Sequence, residues 1–112
     1  MIYIVDIVQT ICVTPKVNGE HFYNLSVPLK RRIDKINKLY DQGHTIIYWT
    51  ARGSGSGIDW TELTTKQLNK WSCKYHEVRL GKPSYDIWID DKAFRDIEFF
   101  YDVDPKPGDI DE

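Results

Sequence analysis

The sequence lacks the features that point to nucleic acid or to a lipid bilayer. Its 15 basic residues are outnumbered by 17 acidic residues, which gives a formal net charge of −2, so there is no positive field to attract a phosphate backbone. It contains no apolar run of about 18 residues, the length that a membrane-spanning helix needs. The first residues show no secretory pattern. We therefore expect a cytoplasmic protein that binds neither nucleic acid nor membrane.

Cysteine is also scarce. The two cysteines, Cys12 and Cys73, lie far apart and lack the paired spacing of a zinc or redox motif, so we expect them to be ordinary thiols. The chain of 112 residues, 41% of them hydrophobic, is long enough to bury one core and too short for a second. We predict a single domain over residues 1–101 and an acidic, frayed tail over residues 102–112.

Short apolar segments predict the strands of a mostly parallel sheet. They span Ile2–Val5, Thr45–Trp49 and Ile87–Ile89, and each is apolar almost throughout, as strands are when helices cover both faces of a sheet. A further strand is expected over residues 74–79. Because predicted strands alternate with predicted helices, we expect an α/β fold, with a Rossmann-like three-layer α/β/α arrangement and no large cap domain.

Two helices are predicted between the strands. The first has Ser26 as its N-cap, carries apolar residues at helical spacing and ends at Gly43. The second begins near Asp59, with Glu62 three residues further on as a capping arrangement, and runs to about Trp71.

The remaining segments predict loops. Residues 14–26 indicate a loop or a small hairpin, and the Gly/Ser-rich residues 51–57 indicate a mobile loop of the kind that carries function on a rigid frame. Trp60 lies beside this second loop, and it is the tryptophan that we expect near a ligand. A short amphipathic segment at residues 94–100 is expected to close the fold.

Polar residues at the ends of the predicted strands form the candidate site. Asp6, Thr50 and the pair Asp90–Asp91 each follow a strand, and Lys82 lies on a Gly-Lys-Pro turn. Ligands of open α/β sheets bind beyond the carboxyl ends of the strands, so we expect these residues to lie together. Their carboxylates are ligands that Mg²⁺ prefers, and Thr50 and Lys82 are suited to phosphate oxygens. The pattern favours attack of a carboxylate on phosphorus through an aspartyl phosphate.

The order of these motifs resembles the haloacid dehalogenase-like (HAD) superfamily, in particular its small phosphatases without a large cap domain. The first motif of that family, Asp-x-Asp-Gly-Thr, corresponds to Asp6-Ile7-Val8-Gln9-Thr10 in this chain. The later motifs correspond to Thr50, to Lys82 and to Asp90-Asp91. The resemblance covers nearly all of residues 1–93.

This resemblance implies a magnesium-dependent hydrolase of phosphomonoesters. The implied catalytic residues are Asp6, Thr50 and Lys82. The implied substrate-binding residues are Thr10, Thr50, Arg52 and Lys82, of which Arg52 is expected to contact the substrate beyond its phosphate. The implied metal ligands are Asp6, the backbone carbonyl of Val8, Asp90 and Asp91.

The resemblance also suggests a class of substrate. Members without a cap leave the site open, and the expected partner is a phosphorylated small molecule or saccharide, with sugar phosphates as one class. Self-association into a homo-oligomer is compatible with the sequence, because the aromatic residues Phe99, Phe100 and Tyr101 are expected to be exposed.

Two positions depart from the first motif of the family. Val8 stands where the family has the aspartate that protonates the leaving oxygen, and such general acid–base assistance is typically worth about 10² to 10⁴ in rate. Gln9 replaces a glycine, which adds strain of about 1 kcal/mol if the position needs a positive φ.

Three interpretations of these departures stay open. The first is a hydrolase that is impaired, or restricted to leaving groups that need no protonation, such as those of acyl or aryl phosphates. The second is a pseudophosphatase that binds a phosphorylated ligand or a protein partner without turnover. The third is an ordinary phosphatase in which Val8 and Gln9 are incidental or engineered changes.

Overall fold

The computed structural model describes residues 1–108, which form seven strands and three α-helices. The strands are β1 (Ile2–Val5), β2 (Cys12–Val13), β3 (Lys16–Val17), β4 (Glu20–His21), β5 (Val27–Pro28), β6 (Thr45–Trp49) and β7 (Glu77–Arg79). The helices are α1 (Lys30–Asp41), α2 (Thr61–Lys70) and α3 (Asp96–Phe99), and a short 3₁₀ turn spans Tyr23–Leu25.

The centre of the fold is a parallel sheet of three strands in the order β1-β6-β7. Val5 of β1 pairs with Tyr48 of β6, and Tyr48 pairs in turn with Val78 of β7. This confirms the predicted α/β fold with a parallel sheet, and β1 and β6 have the predicted bounds. The strand predicted over residues 74–79 is present in the shorter form of β7.

The core lies on one face of this sheet. Ile46 and Tyr48 of β6 share a buried cluster with Ile33 of α1 and Leu68 of α2. Since side chains alternate between the faces of a strand, the neighbours of these residues point the other way; there Ile47 of β6 is buried, at 7% exposed, but lies outside the cluster, and its partner Ile4 of β1 is 58% exposed. Both long helices therefore pack on the same face, and the third layer expected from the sequence is not confirmed.

The first helix starts later than predicted. The Ser26 hydroxyl lies 2.7 Å from the Thr14 hydroxyl instead of capping a helix, and Val27–Pro28 pairs with β2 as an antiparallel strand. Because these residues are extended, α1 begins only at Lys30. The predicted end is confirmed: Gly43, with a φ of 96°, follows the helix in the left-handed conformation that glycine adopts readily.

One further local prediction is confirmed, whereas the capping arrangement predicted for Asp59 with Glu62 is not, because the N-cap of α2 is Trp60 and it has no side-chain cap. The polar stretch after β2 forms a hairpin of β3 and β4, whose turn residues Asn18 and Gly19 have φ values of 52° and 80°, as a type I′ turn requires. Before α2, the Asp59 carboxylate accepts hydrogen bonds from the backbone N–H and the hydroxyl of Thr61, at 2.9 and 2.6 Å.

The strand predicted over Ile87–Ile89 is wrong. Within residues 1–108 this segment forms no strand, and Ile87 and Ile89 are 78% and 93% exposed. Its β-branched residues suit a strand, but a strand also needs a neighbouring edge to supply hydrogen bonds, and in the described part of the chain β1 pairs only with β6. Asp90 and Asp91 therefore do not follow a strand.

The first residues of the predicted frayed tail are packed against α1. Asp104 forms a salt bridge of 2.6 Å with Arg32, and Asp102 forms one of 2.9 Å with Lys35. The Arg32 side chain is only 9% exposed, so this contact is largely shielded from water. Arg32 and Lys35 of α1 thus hold the start of the segment for which composition alone predicts fraying. Residues 109–112 of the predicted tail lie outside the described residues.

Other expectations about exposure have mixed outcomes. Phe100, expected to be exposed, is 2% exposed and belongs to the core, and Phe99 is partly buried against that core, whereas Tyr101 is 69% exposed as expected. Cys12 and Cys73 are both buried and free, which agrees with ordinary thiols. None of the helices formed by residues 1–108 has the length and apolar character to cross a bilayer.

Candidate functional site

A cavity of about 650 Å³ lies beyond the carboxyl ends of β1 and β6. Its walls come from the loop after β1, the β3–β4 hairpin with the 3₁₀ turn that follows it, the loop after β6 and the turn after β7. Five of the predicted site residues line it, namely Asp6, Val8, Thr50, Arg52 and Lys82. The cavity therefore occupies the place where open α/β sheets usually bind their ligands.

The Asp6 carboxylate is held from two sides. The Thr10 hydroxyl donates a hydrogen bond to Oδ2 at 3.1 Å, and Nζ of Lys82 lies 3.4 Å from Oδ1. The Asp6 and Lys82 side chains are 35% and 14% exposed, so solvent and salt only partly screen this pair. One carboxylate oxygen is thus oriented by a hydroxyl, while the other faces a cation.

Backbone contacts place Lys82 next to β6. Its N–H donates to the Thr50 carbonyl at 3.1 Å, and its own carbonyl accepts a hydrogen bond from the Ser54 hydroxyl at 2.7 Å. Its ammonium group lies 5.5 Å from the centre of the Tyr85 ring and 5.8 Å from that of Trp88. These contacts hold the predicted Gly-Lys-Pro turn at the edge of the cavity.

Thr50 presents a buried hydroxyl at the end of β6. The residue is 1% exposed, and its Oγ1 accepts a hydrogen bond from the backbone N–H of Arg52 at 3.2 Å. That bond uses a lone pair and leaves the hydroxyl hydrogen available. Thr50 can therefore donate to an oxygen of a ligand in the cavity.

Arg52 is a buried cation, although the sequence places it in a Gly/Ser-rich loop. It is 2% exposed. Its guanidinium donates to the side-chain oxygens of Gln67, Thr64 and Ser26 at 2.7, 3.1 and 3.3 Å, and it lies 4.9 Å from the centre of the Tyr23 ring. All of these partners are neutral groups, so they satisfy hydrogen bonds without balancing the charge.

Within residues 1–108 no carboxylate forms an ion pair with Arg52, and its buried Nε has no hydrogen-bond partner. Burial lowers the pKa of the guanidinium, and attraction from neighbouring groups, Asp6 among them, opposes that shift. An arginine still keeps its proton in a protein. A buried charge without a counter-ion is costly, and an anionic ligand in the cavity would reduce this cost.

Gly53 fixes the loop beside Arg52. Its φ is +82°, and a Cβ at this position would lie 2.1 Å from the Ile58 carbonyl oxygen and 3.1 Å from the Trp60 ring. A side chain therefore does not fit here. Gly55 differs, since a Cβ there would meet nothing within 4 Å.

The loop after β1 has the backbone that the first motif suggested. Gln9 has a φ of 62°, so a residue with a side chain occupies a left-handed position. Its amide group compensates in part, because it donates to the Thr14 carbonyl and accepts from the Thr14 N–H, both at 3.3 Å. Val8 lines the cavity and brings no ionisable group to it.

The structure does not bring Asp90 and Asp91 to this cavity. Neither residue lines it, and both are exposed. Asp90 instead accepts hydrogen bonds from the Lys92 backbone N–H at 2.9 Å and the Trp88 ring N–H at 3.4 Å, which lower the pKa of its carboxyl. In the part of the chain that the structure describes, no group of three or more His, Cys, Asp or Glu residues is arranged to hold a metal ion.

Sequence reasoning missed several residues of the site. His21, Tyr23 and Tyr85 line the cavity with the predicted Trp60, yet His21 and Tyr23 lie at the end of the β3–β4 hairpin, far in sequence from Tyr85, and no motif links them. Thr64 and Gln67, which bind Arg52, read as ordinary helix residues. The aromatic residues in loops next to the motifs were the available signal.

The comparisons with known proteins support the fold. The chain is similar to the crystal structure of an MCSG target from Vibrio cholerae, with a TM-score of 0.73 and 26% sequence identity over 88% of this chain and 85% of that one. No protein-family model and no curated protein matches the chain. The structural match thus indicates a shared α/β architecture and carries no statement about activity.

Proposed function

We propose that the chain is a phosphatase-like protein, related in design to the HAD superfamily, whose cavity binds the phosphoryl group of a phosphomonoester. The charge around Asp6 is the observation that supports this most. Two cations, Lys82 and the unpaired Arg52, line the cavity together with this one carboxylate, and Lys82 lies beside it, while the other lining carboxylate, Glu20, is exposed on the hairpin. Such an arrangement favours a small anion with several acceptor oxygens.

The proposed reaction uses the Asp6 carboxylate as a nucleophile. An oxygen of Asp6 forms a bond to phosphorus, the bond from phosphorus to the leaving oxygen breaks, and that oxygen keeps the electron pair. Water then cleaves the aspartyl phosphate and releases inorganic phosphate. Lys82 and Arg52 reduce the repulsion between the two anions, and Thr50 donates to a phosphoryl oxygen. Val8 has no proton to give, so the leaving oxygen departs as an anion unless water protonates it.

Magnesium fits this cavity poorly in the described arrangement. Mg²⁺ demands a near-octahedral set of oxygen ligands, and of the four ligands implied by the resemblance only Asp6 and Val8 line the cavity, together with the exposed Glu20. The other two ligands implied by the resemblance, Asp90 and Asp91, lie outside it. The steps above are therefore written without a metal, and magnesium dependence stays a prediction.

A pseudophosphatase is the second candidate function, and a specific observation favours it. The residues that bind an anion are in place, whereas the group that would move a proton is replaced by Val8. Without that group, binding can persist after turnover is lost. In this alternative the cavity holds a phosphorylated ligand or a protein partner.

A restored first motif distinguishes the two candidates. We expect the double variant Val8→Asp/Gln9→Gly to release phosphate from a phosphomonoester at least about 100-fold faster than the natural chain, since this is the low range of general acid–base catalysis. Assays with and without Mg²⁺ test the metal. Adding Asp6→Asn should abolish the gain. No gain, together with measurable binding of inorganic phosphate, would support the pseudophosphatase.

A further inference from the structure

Aromatic side chains form two walls of the cavity. On one side the His21 and Tyr23 rings stack with centroids 5.3 Å apart, and Tyr23 meets Trp60 edge to face at 5.1 Å. A separate part of the lining comes from Tyr85, which lies beside the turn that carries Lys82. All four residues line the same cavity as Asp6. The cavity therefore combines the charged groups of Asp6, Lys82 and Arg52 with rings that are only partly buried.

The walls begin directly beside the charged groups. Lys82 is 3.4 Å from Asp6 and 5.5 Å from the centre of the Tyr85 ring, and Arg52 is 4.9 Å from the centre of the Tyr23 ring. Each cation that would hold the phosphoryl group therefore also touches a ring. A planar group bonded directly to the phosphate would lie within reach of these rings. In a nucleotide, by contrast, the sugar separates the base from the phosphate, so the base would lie further from the rings beside Lys82 and Arg52.

The chemistry of position 8 points to the same kind of ligand. Since Val8 cannot protonate the leaving oxygen, departure is easiest for a group that is stable as an anion. A phenol, with a pKa of about 10 as in tyrosine, meets this need far better than an aliphatic alcohol, whose hydroxyl is much less acidic and close to water in this respect. The alcoholic hydroxyl groups of sugars resemble the aliphatic alcohols.

We infer that the preferred ligand class is an aryl phosphate, whose ring packs between the Tyr23–Trp60 wall and Tyr85 while its phosphoryl group lies beside Asp6, Lys82 and Arg52. This inference rests on the proposed function and narrows it from phosphomonoesters in general to those with an aromatic leaving group. Aromatic rings pack against each other with a preference that a saturated ring of the same size lacks.

The test compares phenyl phosphate with cyclohexyl phosphate, which has nearly the same size and charge but no aromatic ring. Binding is measured by calorimetry to the full chain carrying Asp6→Asn, which cannot be phosphorylated, with inorganic phosphate and glucose 1-phosphate as further probes. We expect phenyl phosphate to bind about three- to tenfold more tightly than cyclohexyl phosphate, the factor that one or two aromatic contacts supply. Glucose 1-phosphate should bind more weakly than phenyl phosphate.

Two variants test whether Tyr85 and Trp60 cause the preference for phenyl phosphate over cyclohexyl phosphate. Tyr85→Leu should bring the ratio of the two affinities close to one, and Trp60→Leu should lower it. Tyr101→Leu is the matched control, because Tyr101 is 69% exposed and does not line the cavity; it should leave the ratio unchanged.

The outcomes separate this inference from the proposed function. Equal affinities for the two esters, tighter binding of glucose 1-phosphate, or a ratio that survives both wall variants would overturn the aryl phosphate inference while leaving a phosphate site in place. If none of the four probes binds, the proposed function itself fails.

Discussion

Replacing Arg52 by methionine should separate stability from ligand binding. The guanidinium donates three hydrogen bonds to the neutral side chains of Gln67, Thr64 and Ser26, and hydrogen bonds to a charged group contribute about 1.5–3 kcal/mol each. Against this, burying a cation with no carboxylate partner costs several kcal/mol. Methionine is shorter than arginine, but it is unbranched like the arginine stem and needs no counter-ion. We therefore expect Arg52→Met to change the free energy of unfolding by no more than about 2 kcal/mol.

Phosphate binding should respond much more strongly. The unpaired charge of Arg52 is available to an anion in the cavity, and losing one charged partner typically weakens binding by about 10- to 100-fold. Linkage makes this measurable by unfolding: phosphate at 100 times its Kd stabilises the natural chain by about 2.7 kcal/mol. At the same concentration, the variant should gain only about 0.4–1.4 kcal/mol.

Urea unfolding with and without inorganic phosphate tests both statements. A variant that unfolds far more easily, yet gains as much from phosphate as the natural chain, would show that Arg52 is a structural residue and would refute the reasoning about its missing counter-ion. Lys82→Gln serves as a comparison, because Lys82 is a second cation at the cavity and is also expected to weaken phosphate binding.

Three further predictions concern the loops and the C-terminal segment. Gly53→Ala should destabilise the chain by about 2 kcal/mol or more, because its Cβ would overlap a backbone carbonyl at a positive φ. The control, Gly55→Ala, should change the free energy of unfolding by no more than about 0.5 kcal/mol. Midpoints of urea unfolding measure both. Gln9→Ala should lower the free energy of unfolding by about 1 kcal/mol, because it loses two hydrogen bonds and keeps the positive φ. Gln9→Gly loses the same hydrogen bonds but relieves the backbone strain, so its stability should be closer to that of the natural chain. A larger loss of stability for the glycine variant would contradict this. The hydrogen bond from Arg32 lowers the pKa of Asp104. The stabilisation that this pair gives to the folded chain is therefore present at neutral pH and is lost as the pH falls through the lowered pKa, below about 4. Acid unfolding curves should show a smaller loss of stability for Asp104→Asn than for the natural chain.

The position of the site could be predicted because local patterns determine it. The apolar runs before Asp6 and Thr50 are continuous, and each is long enough to read as a strand that ends at the polar residue. Parallel pairing of β1 and β6 then brings the two residues to one edge. The Gly-Lys-Pro turn adds Lys82 at the same edge through a backbone hydrogen bond to Thr50.

Other features depend on contacts that no local pattern encodes. Ile87–Ile89 has the composition of a strand, but pairing with an edge is a tertiary event, and the described residues do not show it. Arg52 lies in a loop whose composition predicts exposure, yet Gln67 of α2 offers an acceptor that holds it inside. The tail after Tyr101 is polar and rich in acids, yet pairing of Asp104 with Arg32 orders its first residues. In each case the deciding partner lies far away in sequence.

The measurement that tests the central claim most directly is the intact mass of the protein after incubation with p-nitrophenyl phosphate, with and without Mg²⁺. The account predicts a gain of about 80 Da, the mass of one phosphoryl group, that builds up because no side chain at position 8 activates water for the second step, and that is absent from Asp6→Asn. A chain that gains no mass and releases no phosphate from this reactive ester, or an adduct that persists in Asp6→Asn, would contradict a nucleophilic Asp6.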